Sequence, residues 1–479
     1  MDIEKRKQDS SSETRVAAPN DEPAFRRALF KLDFIFLPAV TFIYFLNFLD
    51  RSNIGNAKAA GLLTDLNITS RQYSIALTVT YVPYIVVELP LTLLIKKVGP
   101  NILLPTLVVL WGIVTTFQGF VHDYHGLLVA RFFLGCTEGA ILPSSMAYLS
   151  TFYRRGDLAK RVALFFSATS LAGAFSGLLA SAILNMAGIR GMKGWQWLFI
   201  IEGIFTCVYG FIAFAILPRA PTTAWFLSQP EKDALVAALA VDRPPAEDEQ
   251  KLTLRAVLDV FSAPHMWNMA LQFFSSGAML YASAYFAPTI VGAIGYKGIK
   301  VQLYSVPPYV CSAAFALGSC WLSDYLKLRG PFIMLAAIVS VIGYAMFLGS
   351  TNPKTLYAAL FLQVMGAYAV APLQSTWMPN NLAPFYRRVT GITMGFVATN
   401  SGGILSTWLF PTNEAPRYHR GTSVLLGLSA AICFWTVLNM LYLHHQNRKR
   451  AAANGVEEDN SDVNDGVLGD RSVHFKYIL

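Results

Sequence analysis

Two short constellations carry charges whose types and spacing suit chemistry on an anion and a proton. Asn47 and Arg51 are four residues apart, so a helix would put them on one face, with Asp50 immediately beside. Arg131 and Glu138 are seven apart, which places them nearly on one helical face, about 10.5 Å apart along the axis. An arginine fork grips a carboxylate bidentately and stays charged, whereas an Asp or Glu exchanges a proton when burial favours its neutral form. The expected division of labour is Arg51 and Arg131 for an anion, with Asp50 and Glu138 for a proton. The competing reading is a set of internal salt bridges that merely hold helices together. Charges inside apolar segments are functional by default, and this favours the first reading.

The elements that must position these groups are apolar runs. Asp50-Arg51 interrupts residues 34–59, a stretch otherwise made of Phe, Ile, Leu, Ala and small polar residues. The chain is 54% hydrophobic and only 14% charged, against roughly 25% charged for a soluble domain, so it reads as a polytopic membrane protein. Runs of about 20 residues, enough to span a bilayer, begin near Asp33, Gln72, Asn101, Leu127, Arg161, Trp197, Trp267, Val301, Pro331, Leu356, Val389 and Thr422. The first follows a polar tail and lacks a small-residue cleavage site, so no removable signal peptide is expected. Most of the 38 Lys and Arg fall in tails and loops that share one side if both termini are cytoplasmic, and the positive-inside rule selects that orientation. The net charge of +9 follows from the same asymmetry, which points to anionic lipid headgroups rather than nucleic acid.

The chain also repeats itself. Lys96-Lys97-Val98-Gly99-Pro100 after the second run is answered by Lys327-Leu328-Arg329-Gly330-Pro331 after the eighth. Phe152-Tyr153-Arg154-Arg155 after the fourth is answered by Phe385-Tyr386-Arg387-Arg388 after the tenth, at almost the same offset. The expected fold is therefore an all-α membrane protein of twelve transmembrane helices in two six-helix bundles related by pseudo-twofold symmetry. This parallel repeat resembles that of a major facilitator carrier, in which the substrate site lies between the halves near the bilayer midplane. The expected organisation is a cytoplasmic tail (1–31), a first bundle (32–218), a cytoplasmic linker (219–264), a second bundle (265–444) and a polar, disordered cytoplasmic tail (445–479).

Three stretches make the resemblance more specific. Phe45-Leu46-Asn47-Phe48-Leu49-Asp50-Arg51-Ser52-Asn53-Ile54-Gly55-Asn56-Ala57 is similar to the first-helix signature of the anion:cation symporter family, in particular its fungal allantoate permease branch. Arg131-Phe132-Phe133-Leu134-Gly135-Cys136-Thr137-Glu138-Gly139 with Pro143 resembles the fourth-helix signature, and Trp197-Leu198-Phe199-Ile200-Ile201-Glu202-Gly203 the sixth. The resemblance implies proton-coupled uptake of small organic anions, often vitamins, their precursors or nitrogenous carboxylates. It also links the first-helix Asp-Arg and the fourth-helix Glu to coupling and substrate recognition. The loop after the second helix departs from the facilitator pattern, with Lys96 and Lys97 but no loop Asp.

The remaining polar residues divide by position. Glu88 and Glu202 read as cross-helix hydrogen-bonding groups rather than proton sites. Asp157, Arg161 and Asp324, near helix ends, read as cytoplasmic gate or loop latches. The second half has no charge in the centre of a run, so its candidates are uncharged: Gln272, Tyr285, Gln363, Gln374 and Asn400 to orient substrate, and Trp377 to pack its apolar part. Interhelical hydrogen bonding is the alternative for each. The glycines at Gly173, Gly177, Gly402 and Gly403 suggest close helix packing. All five cysteines sit in apolar runs without a disulfide or metal spacing. The pair of histidines in His122-Asp123-Tyr124-His125 is too sparse for a metal site, and the Asn67 sequon lies too close to the membrane to predict its occupancy.

These readings point to a carrier that works as a monomer in the plasma membrane with no cofactor and no metal, its partners being a small organic anion, protons and lipid. Export or exchange of a metabolite is the alternative direction. An enzyme is disfavoured by the lack of a nucleophile motif, and a receptor by the lack of a large extramembrane domain.

Overall fold

The computed structural model describes residues 23–242, 260–382, 385–415, 417–453, 475 and 477–478. Among them there are helices and no strands. In hydrocarbon a spanning segment must satisfy its own backbone groups, and these apolar runs do so as helices. Nine helices among the described residues are long and apolar enough to cross a bilayer. Counting three equally long but more polar ones, twelve spanning helices form two six-helix bundles.

In the first bundle the spans are α2 (Leu37–Ala59), α3 (Ser70–Val98), α4 (Pro100–Gln118), the pair α5 (Tyr124–Glu138) and α6 (Ile141–Phe152), α7 (Arg155–Ile183) and α8 (Gly194–Ile216). A short α1 (Pro23–Lys31) runs through a π-helical turn, Leu32–Phe36, into α2 without a break, giving one helix of 37 residues. The residues expected as tail up to 31 are thus, from Pro23 onward, already part of the first span. After α8 the connection forms α9 (Gln229–Asp242), which packs on α1 and joins it through Lys31 Nζ to Glu231 Oε2 at 2.7 Å.

The second bundle comprises α10 (Pro264–Ala293), α11 (Ile299–Leu326), α12 (Gly330–Gly349), α13 (Pro353–Asn380), α14 (Phe385–Ser406) and α15 (His419–Ala453). The polar spans are α10, α11 and α14. Their Asn, Gln, Ser and Thr residues lower the hydropathy because they face protein rather than lipid: Gln272, Ser276, Ser283, Ser305, Ser312 and Asn400 are all buried. The helix α15 continues beyond the expected boundary at 445 as far as Ala453.

The repeat seen in the sequence is visible in the packing. In the first bundle the close pairs are α4 with α8, α2 with α7, and α3 with α5. The equivalents six spans later, α12 with α15, α10 with α14, and α11 with α13, pack closely in the second, where α12 also packs closely on α13. The bundles meet through α2 on α10, α3 on α14 and α7 on α11. Glycines set the closeness: a Cβ on Gly177 would lie 2.9 Å from the Gln302 carbonyl oxygen, and one on Gly173 would strike the Tyr309 ring. Both chain ends of the described bundles and α9 share one face, here the linker face; the opposite face is called distal.

Candidate functional site

The charges sit where the bundles meet. On α2, Asn47 is fully buried, Asp50 is 3% exposed and Arg51 7%. Adjacent helical residues point about 100° apart, so Asp50 and Arg51 reach different neighbours. Asp50 turns into its own bundle, where Trp111 Nε1 of α4 donates to Oδ2 and Thr115 Oγ1 donates to the same oxygen at 3.3 Å. Arg51 turns to the interface. Its Nη1 donates to the Tyr281 hydroxyl of α10 at 2.6 Å, and its Nη2 to Glu138 Oε2 at 3.4 Å. The guanidinium also lies 5.2 Å from the Tyr84 ring centre and 4.8 Å from that of Tyr281, within cation–π range.

From Arg51 the network continues across the interface. Tyr281 donates to Asn400 Oδ1 of α14 at 3.1 Å, and Asn400 Nδ2 donates to Glu88 Oε2 of α3 at 3.1 Å. One buried chain, Glu138 to Arg51 to Tyr281 to Asn400 to Glu88, therefore crosses from the first bundle to the second and back. Beside it the Tyr81 and Tyr285 hydroxyls meet at 2.7 Å. Gly403 provides room for this packing, since a Cβ there would strike the rings of Tyr81 and Tyr281.

Several buried polar atoms here have no hydrogen-bond partner among the described residues: Asp50 Oδ1, Glu138 Oε1, Glu88 Oε1, both carboxylate oxygens of Glu202, Nε and Nη2 of Arg131, and both ends of the Asn47 amide. Native interiors pair nearly all such groups, because leaving one dry costs about 1–3 kcal/mol. Glu138 and Glu88 carry theirs in the chain that crosses the interface, and Asp50 carries its own inside the first bundle. Arg131 is 3% exposed and lies 6.0 Å from the Phe199 ring centre.

Toward the distal face the bundles are tied shut. Ser74 Oγ donates to the Thr407 carbonyl at 2.8 Å, the Thr78 and Thr407 hydroxyls meet at 2.9 Å, and Trp408 Nε1 donates to Thr78 at 3.1 Å. The Lys58 ammonium sits 5.0 Å from the Tyr73 ring centre and 4.8 Å from that of Phe286, so it spans α2 and α10.

Not every residue picked from the sequence reaches this cluster. Arg51, Asp50, Glu138, Asn400 and Tyr285 do, and Arg131 and Asn47 lie buried on the same helices. Gln374 lies apart, accepting from Ser276 at 2.7 Å. Gln272 accepts from Thr436 and Gln363 donates to the Gly343 carbonyl, both within the second bundle. Trp377, expected to pack substrate, instead donates to the Ile478 carbonyl at the linker face. Arg161 holds Asp33 through two bonds of 2.9 and 2.7 Å and contacts Asp157, and Asp324 pairs with Arg329. These are braces within each bundle at the linker face. Asp123 caps α5, accepting from the Gly126 amide at 2.7 Å. Sequence reasoning missed Tyr281, Tyr81, Tyr84, Trp111 and Thr115. Their available signal was position: Tyr81 and Tyr84 precede Glu88 on α3, and Tyr281 is one turn before Tyr285.

Two helical bundles with a charged, partly unpaired cluster buried between them define the architecture of a membrane carrier. The comparisons agree. The Major Facilitator Superfamily model matches residues 40–407. An uncharacterized transporter of Schizosaccharomyces pombe is 36% identical over 452 residues, covering 94% of this chain and 90% of that one. The major facilitator-type transporter hxnP of Emericella nidulans is 32% identical (98% and 96% covered), and the high-affinity nicotinic acid transporter of Saccharomyces cerevisiae 31% identical (95% and 85%). Among solved structures, the proton:xylose symporter XylE superposes with a TM-score of 0.64 at 14% identity, over 85% of this chain and 95% of that one. A bacterial Spinster homolog in an inward-facing, unoccupied conformation gives 0.64 at 14%, over 88% and 97%. The chain belongs to the Major Facilitator Superfamily and is an integral multi-pass membrane transporter.

Proposed function

We propose that this transporter is a proton-coupled importer of a small organic anion, working by alternating access as a monomer in the plasma membrane, with the linker face cytoplasmic. The observation that carries the reading is the buried Arg51–Glu138 pair, with Arg51 also donating to Tyr281 across the interface. A substrate carboxylate that takes the arginine fork displaces both partners. It brings one negative charge into a low-dielectric cluster, where an uncompensated charge is costly. A proton taken by Glu138 or Asp50 cancels it. Anion and proton therefore travel together, and loss of the Arg51–Tyr281 bond loosens the tie between bundles as substrate arrives. Arg131, with donors unpaired among the described residues, supplies a second positive contact.

The similarity to the first-, fourth- and sixth-helix signatures supports membership of the anion:cation symporters, in their allantoate permease branch. The nicotinic acid relative supports a monocarboxylate of vitamin-like size. The test is uptake of a panel of labelled carboxylates, nicotinate included, into proteoliposomes under an imposed pH gradient. Accumulation that tracks the gradient and collapses with a protonophore is expected. Accumulation only against the inward gradient, or only on exchange with internal substrate, would make the protein an exporter or exchanger.

A further inference from the structure

The linker face of the second bundle holds a second recognition site, far from the charged cluster. Its walls are the ends of α10, α13 and α15, and its occupant is a segment of the chain itself. Asn447 Nδ2 donates to the Tyr477 carbonyl at 2.9 Å while its Oδ1 accepts from the Tyr477 amide at 2.9 Å. Asn381 repeats the arrangement one residue on, donating to the Ile478 carbonyl at 3.0 Å and accepting from the Ile478 amide at 2.8 Å. Trp377 Nε1 adds a bond to the Ile478 carbonyl at 2.8 Å.

An amide side chain carries one acceptor and one donor group, so each asparagine pairs with the N–H and C=O of a single residue as a neighbouring strand would. Two in succession, from different helices, read an extended backbone. Side-chain selection comes at Tyr477, which is 6% exposed. Arg450 stacks on its ring at 4.3 Å, donates to its hydroxyl at 3.0 Å and reaches the Phe475 carbonyl at 2.7 Å. His265 of α10 lies against the other side, with ring centres 5.7 Å apart.

We propose that this groove is a peptide-binding site whose ligand is the segment 475–478 of the same chain, an aromatic–x–aromatic–aliphatic sequence. Seated there, the segment pins α10, α13 and α15 together at the linker face, so the second bundle moves as one body. The site belongs to the fold and does not depend on what the carrier transports.

The test uses the purified full chain in detergent. Tyr477→Ala and Asn447→Ala should each lower Tm by about 2–4 °C, the first by removing the ring that Arg450 covers and the second by removing two bonds to the backbone of residue 477. A chain ending at residue 474 should regain Tm on addition of a synthetic peptide of residues 475–479, and a scrambled peptide should do nothing. A photo-crosslinking residue at position 477 of the full chain should join to α10, α13 or α15 within a monomer. Unchanged Tm or no crosslink overturns the site, and a crosslinked dimer overturns the same-chain assignment.

Discussion

Replacing Tyr281 with Phe removes one oxygen from the middle of the chain that crosses the interface and leaves the ring in place. That oxygen accepts from Arg51 at 2.6 Å and donates to Asn400 at 3.1 Å. A hydrogen bond to a charged group is worth about 1.5 kcal/mol at the low end and a neutral one about 1 kcal/mol. Both are buried, so no screening discount applies, but only the bond from Arg51 crosses between the bundles; the bond to Asn400 lies within the second bundle and survives opening. Tyr281→Phe should therefore weaken closure by about 1.5 kcal/mol, which is roughly tenfold in the open-to-closed ratio at 1.4 kcal/mol per tenfold. Spin labels at Thr64 and Lys297, exposed on distal loops of opposite bundles, measure this directly by pulsed electron paramagnetic resonance. The expected result is a longer inter-label distance whose population rises roughly tenfold. An unchanged distance distribution in a well-folded variant would refute the reasoning that this chain holds the distal face shut.

Three further outcomes follow from the same geometry. Glu138→Gln keeps the shape of the side chain but cannot exchange a proton, so pH-driven accumulation in proteoliposomes should fall at least tenfold while substrate exchange persists; Asp50→Asn should behave alike. Arg51→Lys preserves charge but not the fork, and losing one donor direction of about 1.5 kcal/mol predicts a roughly tenfold loss in discrimination between a carboxylate and its neutral amide, read by competition uptake. Gly177→Leu forces α7 away from α11, whose Gln302 carbonyl would lie 2.9 Å from the new Cβ, so turnover should drop severalfold in protein that still elutes as a folded monomer.

Much of this arrangement was legible in the sequence, for identifiable reasons. Charges within apolar runs are conspicuous, so Asp50, Arg51, Arg131 and Glu138 stood out, and matched loop sequences gave away the two bundles. The direction of each side chain was not legible. Spacing put Asn47 and Arg51 on one face but could not show that Asp50 turns to Trp111 while Arg51 turns to Tyr281. Tyr81, Tyr84 and Tyr281 escaped notice because tyrosine is equally at home in a membrane-interface belt, and nothing local distinguishes Tyr281 from such an anchor. Trp377 was misplaced because a buried indole in a span looks the same whether its partner is a substrate or the Ile478 carbonyl. The tail reads as disordered from its polar composition, and residues 454–474 lie outside the described residues.

Three buried carboxyl groups share a habit of bonding. Asp50 is held through Oδ2, Glu138 through Oε2 and Glu88 through Oε2, and the second oxygen of each has no partner among the described residues. The donors that hold them are an indole N–H with a threonine hydroxyl for Asp50, a guanidinium for Glu138 and an amide NH2 for Glu88. Each acid thus has one oxygen moored and the other vacant as a berth. A proton arriving at the vacant oxygen leaves the mooring intact, because the held oxygen of a neutral acid still accepts. On the proton-coupled uptake proposed above, neutralising these acids and parting the bundles would be separate operations, so that the arrival of an anion on Arg51, and not the proton alone, would release the interface.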